Sequence, residues 1–198
     1  MIPNWTYQTE KVALIPYDRA WPIFPDGVLG HLYLRTKQDG LLDTVFCGAD
    51  PIDFDWVVGY LGSKKVTMQV YCLQEEGQPL TPVGYCYVMG IGGKDGARKA
   101  TFGFTFFREY WGRKELRDLV TLGLAYWMKE LKIDVLHGIT LKDNFLARNF
   151  ARKFGFTEVA TIPKFLYRQG ELTDARVVML SKAAFEPRWE EWRVEHRV

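Results

Sequence analysis

The stretch from Lys99 to Phe156 constrains the chain most, because its hydrophobic period switches repeatedly within one short span. Lys99 to Phe107 reads KATFGFTFF, rich in Thr and Phe with apolar residues close together, the pattern of a buried strand. Trp111-Gly112-Arg113-Lys114 turns the chain. From Leu116 the apolar residues Leu119, Val120, Leu124, Trp127 and Leu131 fall at helical spacing. Val135 to Thr140 returns as a strand, and Asn144 opens a second helix with Ala147, Phe150 and Phe154 on one face. A strand that runs directly into a helix N-terminus leaves backbone N–H groups free to hold an anion. The turn at Trp111–Lys114 is therefore the candidate site.

Around this centre the sequence predicts further elements. Val12 to Ile15 reads as a first strand ended by Pro16 and Asp18, and the two prolines between Asp18 and Asp26 argue against a regular element there. Val28 to Thr36 fits a helix or an alternating strand, and the helix is preferred. Asp50 is expected to cap a short helix with Pro51 at its first position and Gly62 at its end. Val66–Leu73 and Pro82–Met89 read as an antiparallel pair leading into the strand at Lys99. Phe156–Leu166 and Arg176–Ser181 form a final pair across a polar loop from Arg168 to Asp174. Trp189 and Trp192 lie three apart in the tail and share a helix face, available to the chain's own domain or to a partner. The order β, α, α, β, β, β, α, β, α, β, β predicts an α/β (α+β) domain over residues 1–182, with a helical C-terminal extension over 183–198.

The bulk numbers exclude several classes. Lys and Arg total 26 against 24 acidic residues, a net charge of +2, which argues against nucleic acid as a partner. With 47% hydrophobic and 15% aromatic residues the chain is globular rather than disordered. Cys47, Cys72 and Cys86 are odd in number and widely spaced, so a reducing compartment and no disulfide framework are expected. His31, His137 and His196 lack metal-ligand spacing, and no metal is expected. The opening MIPNWTYQTEK has neither a basic n-region nor an apolar core, and no apolar run approaches a membrane span. A cytoplasmic protein without a membrane partner is the expectation.

Three pieces resemble the GCN5-related N-acetyltransferase (GNAT) superfamily. They are the meander PVGYCYV with FGFTFFREYWG ahead of a long helix, the strand DVLHGIT followed by Asn144, and NFLARNFARKFGF, similar to the family's N-x-x-A/S…K-x-GF signature. Tyr110-Trp111-Gly112-Arg113 most resembles the branch that acetylates ribosomal-protein and other N-terminal amines. The resemblance covers roughly residues 10–182. It implies a mixed, mostly antiparallel sheet flanked by helices, and acetyl-CoA as cosubstrate. It also implies a pantetheine arm pairing with the third strand of the meander, mapped to Phe106, Phe107 and Arg108. The diphosphate would sit on Gly112, Arg113 and Lys114, with Asn144 near the thioester and Arg148 near the 3′-phosphate.

The chain departs from the family pattern at three places. The family's R/Q-x-x-G-x-G/A turn reads Trp111 to Leu116 here, with Lys114 and Leu116 at the Gly/Ala positions, so the loop is degenerate. The family's usual helix tyrosine reads Ala151, and Lys99–Phe107 contains no acidic residue. His137 and Asn144 are the candidate catalytic residues, His137 as a base or else a half-buried structural histidine. Arg148, Arg152 and Lys153 hold phosphate, or form a solvated helix face. Two functions follow. One is an acetyl-CoA-dependent N-acetyltransferase acting by direct transfer on a protein or small-molecule amine, with specificity set by Pro25–Leu61 and the loop Arg168–Asp174. The other is a catalytically inactive structural or assembly protein, meeting a second copy or another protein through its Trp-containing tail.

Overall fold

The computed structural model describes residues 7–17, 27–46, 49 and 51–196. Strands β1 (Tyr7–Gln8) and β2 (Val12–Pro16) precede helices α1 (Val28–Gln38), α2 (Leu42–Val45) and α3 (Phe54–Leu61). The meander β3 (Val66–Leu73), β4 (Thr81–Gly92) and β5 (Lys99–Phe106) follows. Then come α4 (Glu115–Ala125), β6 (Val135–Leu141), α5 (Phe145–Lys153), the hairpin β7 (Thr157–Arg168) and β8 (Glu171–Ser181), and α6 (Lys182–His196).

The strands form one sheet in the order β1-β2-β3-β4-β5-β6-β8-β7. Every neighbouring pair is antiparallel except β5 and β6, which run parallel because α4 carries the chain from the end of one to the start of the other. This is the mixed, mostly antiparallel α/β architecture expected from the sequence.

Each face of the sheet has its own core. Leu116, Leu119, Val120 and Leu124 of α4 pack with Ala151 of α5 and Phe185 and Trp192 of α6 on one face. Val28, Leu29 and Leu32 of α1 and Val57 and Leu61 of α3 cover the other. The spacing that predicted α4 is thus the spacing of its buried stripe, and each leucine so removed from water contributes about 1.5–3 kcal/mol. The helix runs on through a π-helical turn at Tyr126–Glu130, which seats Trp127 and Met128 in the same core.

Four expectations change. Asp50 lies outside the described residues, as do 18–26 and Cys47, and α3 is capped by Asp53, whose Oδ1 accepts from the Trp56 N–H at 2.8 Å. The strand at Lys99 ends at Phe106 rather than Phe107. The loop Arg168–Asp174 is mostly strand, because Gln169 and Gly170 both hold positive φ, 51° and 87°, and close a two-residue hairpin. Its polar composition reflects an exposed hairpin arm. Finally, β1 and α2 are too short to leave a periodic signal. Among the described residues no helix is long and apolar enough to cross a membrane.

Candidate functional site

Parallel pairing between β5 and β6 joins Lys99 to Val135, Ala100 to Leu136 and Thr101 to His137, and then stops. Beyond Thr101, β5 stays with β4 while β6 stays with β8, so the two strands part and leave a gap in the sheet. Two glycines mark its apex. A Cβ on Gly138 would lie 2.6 Å from Phe102 Cε1, and one on Gly103 would lie 2.4 Å from Tyr87 Cζ. The Phe102 ring therefore crosses from β5 over β6 on the α4–α5 face. The Tyr87 ring crosses from β4 over β5 on the α1–α3 face.

The open edge of β5 is legible from its hydrogen bonds. The Phe107 N–H donates to the Val83 carbonyl at 2.9 Å, so alternation turns the backbone groups of Thr105 and Gly103 toward β4. Those of Phe104 and Phe106 face the gap. The Phe106 carbonyl accepts from Trp111 Nε1 at 2.8 Å. A cleft of about 140 Å³ passes through the gap, with Asn144 at the N-cap of α5 and Ala147 and Ala151 of α5 on one side and Thr44 and Val45 of α2 with Tyr87 on the other.

The chain then turns from β5 into α4. Gly112 has φ of 87°, in the region that favours glycine. The N–H groups of Gly112, Lys114 and Glu115 reach no carbonyl among the described residues. Lys114 is the N-cap and gives no side-chain cap. Leu116 points into the core at 5% exposure, which leaves the outer surface of the turn clear. Arg113 pairs with Glu75 at 3.6 Å and lies over the Tyr110 ring at 5.5 Å. A recess of about 620 Å³ beside the turn is walled by Arg113 and Lys114 with Lys11 beside them, while Glu10, Glu75, Glu76 and Glu115 add negative charge. From the other face α1 holds the turn in place. Arg35 pairs with Glu109 at 2.6 Å, and Asp39 Oδ2 accepts the Arg108 N–H at 2.8 Å. A hydrogen bond from Tyr110 and the Arg35 contact lower the Glu109 pKa.

The structure gathers some of the residues expected at a site and separates others. Gly112, Arg113 and Lys114 form the turn, Phe106 borders the gap, and Asn144 lines the cleft. Asn144 also caps α5, its Oδ1 accepting from the Ala147 N–H at 3.1 Å. Phe107 is buried against α1, with its N–H on Val83, and the Arg108 N–H is held by Asp39. Arg148 borders the cleft with its guanidinium committed. Nε and Nη2 meet Glu158 at 3.1 and 2.9 Å, and Nη1 meets the Lys142 carbonyl at 3.0 Å. His137 is not among the residues lining the cleft. Its Nε2 sits 2.9 Å from the Thr101 hydroxyl, and burial followed by the Lys99 charge lowers its pKa below the usual histidine value. Tyr87, Thr44, Gly103 and Gly138 were missed. The glycines were the available signal, since a glycine inside a strand marks a close approach.

The sequence profile of the Acetyltransferase (GNAT) domain family matches residues 50–157, more than half of the chain. The chain belongs to the GNAT acetyltransferase family. No curated protein sequence matches it. Solved GNAT structures resemble its fold. A spermidine N-acetyltransferase from Vibrio cholerae, in complex with CoA and spermine, is 15% identical with a TM-score of 0.68, over 88% of this chain and 98% of that one. The Vibrio cholerae spermidine/spermine N-acetyltransferase SpeG, in complex with manganese ions, is 16% identical with a TM-score of 0.63, over 90% of this chain and 96% of that one. At such identity the likeness concerns the GNAT fold alone.

Proposed function

We propose that this chain is an acetyl-CoA-dependent N-acetyltransferase that passes the acetyl group directly to an amine. The observation that carries this reading is the loss of β5–β6 pairing after Thr101 and His137. It leaves the Phe104 backbone open to a pantetheine arm, whose amides match a strand edge in donors and acceptors. The donor set of the neighbouring turn fits a diphosphate. Three N–H groups at Gly112, Lys114 and Glu115 stand beside the cations of Arg113 and Lys114, at a helix N-terminus.

When bound, acetyl-CoA supplies an activated acyl carbon. The chain's own residues hold its arm along Phe104, and its anionic end on the turn. Asn144 and Ala147 wall the reacting region, and the acceptor enters past α2. Arg148 keeps α5 fixed against β7 through Glu158 and acts as a positioning residue. His137 stands outside the cleft lining with its Nε2 on the Thr101 hydroxyl at 2.9 Å, and there it orders β5 against β6.

The Tyr110–Arg113 sequence favours an N-terminal amine as acceptor, the substituted turn counts as a degenerate diphosphate loop, and the compartment is cytoplasmic. The neighbouring structures make spermidine the natural competitor in any acceptor panel. Ala151, whose methyl lines the cleft where the family's tyrosine would stand, favours the second reading of an inactive GNAT-fold interaction protein.

Two measurements decide. Acetyl-CoA at 100 times its Kd should stabilise the fold by ~2.7 kcal/mol. Free thiol should then appear with peptide N-termini or small amines. No stabilisation at millimolar acetyl-CoA ends the acetyltransferase reading, and binding without turnover across the panel favours the interaction protein.

A further inference from the structure

We propose that Tyr87 is a catalytic residue, whose phenol carries a proton between the acceptor amine and the departing sulfur. The proposal rests on the acetyl-transfer reading above and adds the group that serves it.

The gap opens immediately after Thr101, and Gly103 is the first residue of β5 beyond the apex that faces α1–α3. A Cβ there would lie 2.5 Å from Tyr87 Oη, so the hydroxyl end of the ring, and not merely its edge, rests on the β5 backbone at the apex. Tyr87 lines the cleft from the α2 side, and Ala151 lines it from the α5 side. A thioester lying along β5 and an amine arriving past Thr44 therefore meet beside this phenol. The ring is held from behind. Tyr60 packs edge-on at 5.8 Å, and Trp56 stacks on Tyr60 at 5.0 Å.

Chemistry selects Tyr87 among the hydroxyls of the cleft. Thr44 and Thr140 carry aliphatic hydroxyls, which neither release nor accept a proton readily near neutral pH. A phenol, with an ordinary pKa of about 10, lies close to amines and thiols and exchanges protons with both. In the step, the amine nitrogen bonds to the carbonyl carbon, the carbon–sulfur bond breaks, and sulfur keeps the electron pair. Nitrogen loses one proton and sulfur gains one. Tyr87 gives its proton to sulfur, takes the one from nitrogen, and ends unchanged.

The test compares wild type with Tyr87→Phe, using the best acceptor of the panel. The variant should bind acetyl-CoA within about twofold of wild type by calorimetry, while kcat falls about 10²-fold with little change in the acceptor KM. A kcat within about threefold of wild type overturns the proposal and leaves the acetyltransferase reading intact. A wild type that turns over no acceptor defeats the function itself, and Tyr87 with it. Independently of how the phenyl variant folds, 3-fluorotyrosine at position 87 gives a second measure. Its ¹⁹F resonance should shift on addition of acetyl-CoA, and the alkaline limb of kcat should move to lower pH. A resonance indifferent to acetyl-CoA and an unmoved limb overturn the proposal.

Discussion

Trp111 Nε1 donates to the Phe106 carbonyl at 2.8 Å, so the last β5 acceptor facing the gap is already occupied. Arg108 lies over the same indole at 5.6 Å. The side chain at the mouth of the gap thus competes with any ligand that would pair along β5. Trp111→Phe removes the competing N–H and keeps an aromatic ring. A neutral hydrogen bond contributes about 0.5–1.5 kcal/mol net. The variant should therefore bind acetyl-CoA about threefold to tenfold more tightly by calorimetry. Weaker binding would mean that the indole supports the ligand instead of excluding it.

Lys114 gives the turn an exposed cation, at the N-cap of α4. Lys114→Glu replaces a positive with a negative charge. At about 6 Å from a bound anion in water-like dielectric, the reversal costs ~1.4 kcal/mol. Acetyl-CoA should then bind about tenfold more weakly at low salt, and the difference should shrink as salt is added. The ligand-free melting temperature should hardly move, because the side chain makes no cap. An unchanged Kd would place the diphosphate elsewhere.

These two residues also show what the sequence reveals and where it stops. Helix α4 was legible because burial on one face imposes a 3.6-residue repeat, and Leu116, Leu119, Val120 and Leu124 carry it. The turn was legible because a strand meeting a helix must leave N–H groups unpaired. The state of individual side chains was not. Leu116 stands at a Gly/Ala position of the family's diphosphate turn, and only tertiary packing turns its side chain into the core. Arg148 looked like a free cation on a helix face, and Glu158, ten residues on in the next strand, claims it. Tyr87 left no local mark at all. Its role comes from a cross-strand contact with Gly103, and register is set by the whole meander.

His137 makes stability depend on pH in a definite direction. Burial, then Lys99, lowers its pKa, and burial followed by Arg35 does the same for His31. An unfolded histidine, with its pKa near 6.5, takes a proton more readily than either of these. Their contribution to stability is therefore whole above about pH 6.5 and is lost as pH falls from there toward the lowered folded values. The urea midpoint should decline between about pH 7 and 5. His137→Gln, which keeps a partner for Thr101, should flatten that slope, and an unchanged slope would assign it to other groups.

Trp192 decides whether residues 183–198 are part of the fold or an appendage to it. Its side chain is 3% exposed, its Nε1 donates to Asp118 Oδ1 at 2.8 Å, and its ring stacks on Trp189 at 5.3 Å and His196 at 4.3 Å. Asp118 lies in the first turn of α4, so the contact ties α6 to the helix that begins at the candidate anion turn. Trp192→Ala should cost about 3–5 kcal/mol by urea unfolding, as expected for deleting a large buried aromatic. Trp192→Phe keeps most of the packing and removes the charged hydrogen bond, for about 1.5–3 kcal/mol. Together the two variants separate packing from hydrogen bonding. A Trp192→Ala chain as stable as wild type would make α6 a separate extension, leaving its two tryptophans available to a partner.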